Sequence, residues 1–304
     1  MAEKADFTDL NPTLNSTDMS RLAVNKTYKI YIGGKFPRTE SGRYYALEDK
    51  KGKLLANLCL SSRKDFRNAV VAARKAQASW AEASALNKGQ ILYRLAEMLE
   101  GRRDQFVEEA RVQGSSAVKA GKEVDAAIDR LVYYAGWSDK YQQIFSSVNP
   151  VSSGHFNFSN PEPMGVVGII APEQQGLLGL ISVLAPVIVG GNAAVLLASH
   201  SQPLSAISFA EVIHTSDVPA GVVNILTGDR SELLMHMASH MDLNAMVYCG
   251  NDDGEIKRVS ELASENVKRT VFYKKSDWSH ESNQSPYFIE KTQEIKTTWH
   301  PVKI

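Results

Sequence analysis

Residues 165–197, GVVGIIAPEQQGLLGLISVLAPVIVGGNAAVLL, constrain the fold of this chain more than any other stretch. A β-rich apolar run ends at Ala171, a helical stretch follows from about Leu177 to Val189, and Gly190 and Gly191 break the chain before a second apolar run ending at Leu197. Strand, helix, strand in this span is the smallest piece of a parallel sheet, because parallel neighbours need a crossover between them. Open sheets of this kind bind ligands outside the carboxyl ends of their strands. Chemistry is therefore expected in the loop Ala171 to Gly176 and in the loop after Leu197.

The same alternation continues downstream. Helices are expected from about Pro203 to Ile213, Arg230 to His240 and Asp253 to Ser264, with strands at Gly221–Leu226, Asn244–Cys249 and Arg269–Tyr273 between and after them. This predicts an α/β fold, a doubly wound parallel (Rossmann-like) sheet with helices on both faces, over residues 163–275. Residues 1–26 carry few large apolar side chains and are expected to be a mobile tail. Residues 27–149 supply the first strands, YKIYIGGKF and GKLLANLCL, and a helical cover in three blocks, Lys64–Trp80, Asn87–Val112 and Gly121–Phe145. An exposed hairpin is expected over 150–162, its strand stopped by Pro161 and Pro163. Residues 276–286 form a polar loop, and 287–304 end in QEIKTTWHPVKI, which alternates as a strand does.

Lys plus Arg and Asp plus Glu number 34 each, so no net field attracts nucleic acid or an anionic membrane, and neither is expected as a partner. No apolar run is long enough to span a bilayer and the N-terminus is polar, which leads to the expectation of a cytoplasmic protein. Cys59 and Cys249 are too few for a disulfide framework or a cysteine-built metal site. His236 and His240 have the spacing of zinc ligands, but HMASH lacks the glutamate of the metalloprotease motif, and a solvated or capping pair is expected. Cys249 is expected as a buried small residue, Asp217 and Asp242 as turn or cap residues, and Tyr133, Tyr134 and Trp137 as core or interface. No P-loop, Gly-x-Gly-x-x-Gly or Gly-x-Ser-x-Gly motif occurs.

From Tyr28 onward the chain resembles the aldehyde dehydrogenase superfamily. The resemblance rests on YIGGKF, AARKAQASW, ILYRLAEMLEGRRDQF, RLVYYAGWSDK, EPMGVVGIIAP, GGNAAVLL, VPAGVVNILTGD and NVKRT, in family order and spacing. SDVPAGVVNILTGDR and the early ending look most like the truncated second domain of the two-domain family 16 type. Members of the superfamily have a cofactor domain, a catalytic domain with a nucleophilic cysteine, and an oligomerisation arm. Here the cofactor-type domain runs to about Tyr273 and TQEIKTTWHPVKI resembles the arm strand, so the resemblance implies that the catalytic domain is absent. No cysteine follows Cys249 to supply the attacking thiolate.

Carried over position by position, the resemblance implies a degenerate site. Glu173 and Gln174 stand where the family has tryptophan and the oxyanion-stabilising asparagine, and the longer Gln174 places its amide elsewhere. Leu197 replaces the lysine that contacts the adenosine ribose, and His200 a following glutamate. The general-base glutamate falls on Tyr273, a phenol with a reference pKa of ~10. Gly250, Asn251, Asp252, Asp253, Gly254 and Glu255 replace the Gly-Ser loop that opens the pyrophosphate-binding helix. Asn251 is expected to cap that helix while the acids repel a diphosphate. No catalytic residue, metal or cofactor is expected, with residual NAD or NADP binding left open. The function implied is a non-catalytic subunit that assembles with a full-length aldehyde dehydrogenase, or with itself, through the 150–162 hairpin and the 287–304 strand. An NAD(P)-dependent aldehyde oxidoreductase and a nucleotide-binding module without turnover remain as alternatives.

Overall fold

The computed structural model describes residues 26–49, 51–274 and 277–302. Apart from Lys26, the tail expected over 1–26 lies outside the described residues, as do positions 303–304 of the last strand and 276 of the polar loop.

A small sheet opens the chain: β1 (Thr27–Tyr28), β2 (Tyr44–Glu48) and β3 (Leu54–Cys59), in the order β1-β3-β2. The strand expected across YKIYIGGKF is shorter than predicted. Only Thr27 and Tyr28 pair with β3, while Ile32 and Lys35 hydrogen-bond each other around Gly33 and Gly34, whose φ values of 58° and 76° turn the chain back. Sequence reasoning did not find β2.

The helical cover is more divided than the periodicity suggests. Helix α1 (Arg63–Glu82) starts in a capping box, with the Ser62 side chain accepting from the Asp65 amide and Asp65 reaching back to the Ser62 amide. The single helix expected over Asn87–Val112 is two, α2 (Ala85–Glu100) and α3 (Arg103–Val112), parted at Gly101 and Arg102, where Arg102 leaves the helical backbone at φ −116° and ψ 13°. Likewise Gly121–Phe145 is α4 (Ala117–Trp137) followed by the short α5 (Tyr141–Phe145), with poor helix formers Ser138 and Asp139 between them. Two strands follow, β4 (Ser147–Asn149) and β5 (His155–Pro163).

The expected alternation holds from there: β6 (Val166–Ile170), α6 (Gly176–Val189), β7 (Ala193–Leu197), α7 (Leu204–His214), β8 (Val223–Leu226), α8 (Arg230–Ser239), β9 (Ala245–Cys249), α9 (Asp253–Ser264) and β10 (Arg269–Tyr273). All five strands are parallel, in the order β10-β9-β6-β7-β8. Successive side chains of a strand point to opposite faces, and each face has its own core. Val167, Ile169, Ala194, Leu196 and Val247 pack with α2, α4, α6 and α7, whereas Val166, Ile170, Val195, Leu197 and Met246 pack with α1 and α8. Every residue of α6 is buried, as befits a helix apolar all round. Gly165 enters β6 at φ 132°, and a Cβ there would collide with the Asn244 carboxamide that accepts from the Val166 amide at 3.0 Å.

After β10 come a 3₁₀ turn (Glu281–Asn283), α10 (Tyr287–Glu290) and β11 (Gln293–Pro301). β11 pairs antiparallel with β5 along its whole length, Gln293 opposite Pro163 and Pro301 opposite His155, giving a three-stranded arm β11-β5-β4. Pro161 and Pro163 therefore do not stop β5. β4 reaches only to Ser159 on the other side, so that edge is open where the prolines lack an N–H to give. Among the described residues no helix is long and apolar enough to cross a membrane.

Candidate functional site

The chain runs from β6 outward through β7 and β8, then returns to the other side of β6 for β9 and β10. That reversal separates the loops after β6 and β9, and a crevice at such a point is the usual ligand position in an open α/β sheet. Here it is a cleft of about 1020 Å³ whose walls include Gln174, Gly250, Asn251 and Tyr273, together with Glu173, Arg230, Lys119 and Trp278. Three of the five expected cofactor-type positions, Gln174, Gly250 and Asn251, thus meet at one place. The other two do not line it. Leu197 is 2% exposed in the core beneath α1 and α8. The His200 ring stacks on Tyr45 at 4.8 Å with Nδ1 3.2 Å from the Gly228 carbonyl.

Glu173 has a role that the sequence did not disclose. Its carboxylate lies on the β7–α7 loop, accepting from the His200 and Ser201 amides, each at 3.1 Å, with Arg230 3.3 Å away on the other oxygen. Arg230, in the first turn of α8, also lies 3.6 Å from Glu255, 3.4 Å from the Cys249 carbonyl and 5.5 Å above the Tyr248 ring. Tyr248 donates its hydroxyl to Glu255. Burial, and then the Glu255 carboxylate, push the Tyr248 phenol well above its usual pKa.

The start of α9 corrects one expectation. Asp252, not Asn251, caps the helix, its Oδ1 accepting from the Glu255 amide at 2.9 Å. The helix begins at Asp253, so the last extended residue, which alone can reach back to that amide, is Asp252. Asp253 pairs with Lys274 at 2.6 Å, which lowers its pKa. All three acids of this loop therefore have protein partners.

The start of α6 is also supplied from within. Gln202 Oε1 accepts from the Gly176 amide at 2.9 Å, and Glu123 Oε1 from the Leu177 amide at 3.1 Å. Burial raises the pKa of Glu123, opposed by the Leu177 and Leu178 amides that donate to it. Gln175 takes φ 55°, a left-handed conformation rare for a residue other than glycine, and is held there by the segment after β10. Its Oε1 accepts from the Trp278 amide at 2.8 Å and its Nε2 donates to Asp277 at 3.0 Å.

Tyr273 ends β10 in an aromatic cluster, 5.6 Å from Trp278 and 4.9 Å from Phe288 between ring centroids. Burial drives its pKa far up, which leaves it protonated at neutral pH. Cys249 is buried and its thiol pKa is raised by that burial. Cys59 is buried too, its carbonyl accepting from Thr227 at 2.6 Å. The remaining candidates have structural places. Tyr134 is fully buried with Tyr133 edge-on at 5.1 Å, and Trp137 is 6.1 Å from Tyr133. His240 packs edge-on against Phe66 at 5.2 Å and accepts from the Asp242 amide, while His236 lies in the last turn of α8. Asp217 takes φ 61° in the turn after α7. Among the described residues no three His, Cys, Asp or Glu are grouped to hold a metal ion.

A doubly wound sheet with a switch-point cleft and a separate strand arm defines the class of protein. The sequence model of the aldehyde dehydrogenase family matches residues 36–273, and the chain belongs to that family. It is 29% identical to the DhaS protein of Bacillus subtilis (strain 168), covering 85% of this chain and 52% of that protein. It is also 29% identical to mouse (Mus musculus) cytosolic 10-formyltetrahydrofolate dehydrogenase, over 83% of this chain and 28% of that one. The aldehyde dehydrogenase of Bacillus cereus, solved as an NAD⁺ complex, superposes with a TM-score of 0.77 at 26% identity, over 82% of this chain and 51% of that one. The chain thus spans about half the length of DhaS and of the Bacillus cereus enzyme, and less of the mouse protein.

Proposed function

We propose that this chain is a non-catalytic subunit of the aldehyde dehydrogenase type that assembles with a full-length aldehyde dehydrogenase. The observation that carries this reading is the connection between β10 and β11. The family match ends at Tyr273, yet the chain returns to the arm by Gln293 through a packed segment, with Trp278 2% exposed and Ile289 fully buried. No cysteine lies in that connection, so the nucleophile of aldehyde oxidation has no source there. Tyr273 is in the base position implied by the resemblance, and a buried phenol is a poor base near neutral pH.

The residues in and beside the cleft do not fit a dinucleotide well. The Leu197 side chain lies in the core and offers no hydrogen bond to a ribose, Glu173 holds the amides of the β7–α7 loop, and Asp252 holds an amide at the start of α9. The cleft itself favours a second reading, nucleotide binding without turnover, and calorimetry with NAD and NADP separates the two. A micromolar dissociation constant would favour the second.

Assembly is tested by co-expressing the chain with candidate full-length aldehyde dehydrogenases and sizing the products by chromatography. Co-elution with one of them is expected. A chain that elutes alone beside every candidate would overturn the proposal, as would turnover of an aldehyde by the isolated chain.

A further inference from the structure

The Glu173 carboxylate is received by more donors than a surface glutamate needs. Oε2 takes the consecutive amides of His200 and Ser201, and the hydroxyls of Ser199 and Ser201 lie 3.1 and 3.0 Å from it. Each hydroxyl has a single proton, which it shares between this oxygen and the Glu173 carbonyl, 3.0 and 2.9 Å away. Arg230 approaches Oε1 from the far side. Adjacent backbone amides directed at one oxygen, with a guanidinium opposite, are a common way for a protein to hold a phosphate or carboxylate group.

The arrangement does not depend on packing. The Glu173 side chain is 41% exposed, and both it and Arg230 face the cleft. Rotation about the Glu173 side-chain bonds would free the donors without moving the backbone. The donors themselves are well fixed: Ser199 is 3% exposed and its hydroxyl also accepts from the Gln202 amide at 2.9 Å, while Arg230 rests on Tyr248 beside Glu255.

We infer that the β7–α7 loop and Arg230 form an anion receptor occupied by the chain's own Glu173, so that a phosphate-bearing ligand reaches those donors only by displacing that carboxylate. The contact is autoinhibitory. It deepens the reading of the chain as a subunit without a cofactor of its own, and the two can fail separately, because assembly is read by co-elution and this contact by anion binding to the chain alone.

Isothermal titration calorimetry with inorganic pyrophosphate tests it on the full chain, on Glu173→Ala and on Glu173→Ala combined with Arg230→Met. Glu173→Ala is expected to bind pyrophosphate at least about tenfold more tightly than the wild type, a gain of ~1.4 kcal/mol, and adding Arg230→Met is expected to abolish that gain. Equal affinity in wild type and Glu173→Ala overturns the inference, as does a gain that survives loss of Arg230. Glu173→Gln, which keeps the shape of the side chain without its charge, serves if the alanine variant does not fold, with the same order and a smaller gain. Amide hydrogen exchange at His200 and Ser201, measured without ligand, is expected to quicken in either variant. Unchanged protection there would mean that Glu173 does not occupy those donors.

Discussion

At the scale of single residues, Lys268 shows how burial and hydrogen bonding compete. It is 6% exposed, and its Nζ donates to the carbonyls of Ala238 at 2.6 Å, His240 at 2.9 Å and Met237 at 3.4 Å, capping the last turn of α8 with a positive charge. Burial nevertheless pulls its pKa from 10.5 to about 8, partly offset by Glu265. The unfolded lysine keeps its proton to about pH 10.5, whereas the folded one releases it from about pH 8. Between those values the unfolded state binds more protons, so stability rises with pH. The raised thiol of Cys249 and raised phenols such as Tyr134 act in the opposite sense, because unfolding lets them ionise. Comparison with Lys268→Met cancels them. Between about pH 8 and 9.5, urea unfolding of the wild type is expected to gain roughly 1–2 kcal/mol relative to the variant, and parallel pH profiles would refute this. The sequence shows Lys268 only as one letter of NVKRT. Its partners lie about thirty residues away, and no local pattern reports such a pairing. Glu173 was hidden for the same reason. Its position after Pro172 marks the loop, but its partners at 199–201 and 230 come from other elements.

At the scale of elements, hydrophobic patterning carries the alternating core well, because every strand of the main sheet feeds two apolar faces and most helices cover one, with α1 reaching into both. It fails where the backbone makes a local choice. The break at Gly101 and Arg102 divides what periodicity reads as one helix, and an open sheet edge lets Pro161 and Pro163 remain inside β5. The sequence predicts a polar loop over 276–286 between β10 and β11, yet this connection is anchored by a side chain on another element. Arg130, in α4 and 3% exposed, donates to the carbonyls of Trp278 at 2.9 Å and Asn283 at 2.6 Å, to Gln284 Oε1 at 2.9 Å and to Ser182 Oγ at 2.6 Å. Among the described residues no carboxylate shares these contacts, so the guanidinium serves as a planar fork joining α4, α6 and the connection. Arg130→Met keeps most of the packing volume and strands these acceptors. It is expected to cost about 2–4 kcal/mol, since each buried acceptor left unpaired costs about 1–3 kcal/mol and water recovers some of them. Arg130→Lys is expected to recover less than half of this loss, because one ammonium cannot span the fork. Denaturant unfolding measures both, and a change below about 0.5 kcal/mol in Arg130→Met, the range of ordinary surface substitutions, would show that the connection holds without its anchor.

At the scale of the whole molecule, the arm is built to be separable from the core. Gln293 is fully buried, its amide donating to the Gly190 carbonyl at 3.1 Å while its own carbonyl accepts from Arg269 at 3.0 Å. From Glu294 to Pro301 every residue of β11 is exposed, including Ile295 and Trp299, and its strand pairing is with β5. A long edge strand with exposed apolar side chains invites pairing with another chain unless it is covered. Charge blunts it only in part, through Lys296 paired with Glu162 at 2.5 Å and Arg269 3.6 Å from Glu294. Ending the chain after Glu294 should therefore separate folding from assembly. Gln293 and its bonds remain, the five-stranded sheet loses no buried side chain, and the melting transition is expected to stay within a few degrees of the full chain, whereas co-elution with an aldehyde dehydrogenase partner is expected to disappear. If the shortened chain still co-elutes, assembly runs through another face of the molecule. A collapse of the melting transition would instead show that the arm stabilises the core to which Gln293 fastens it.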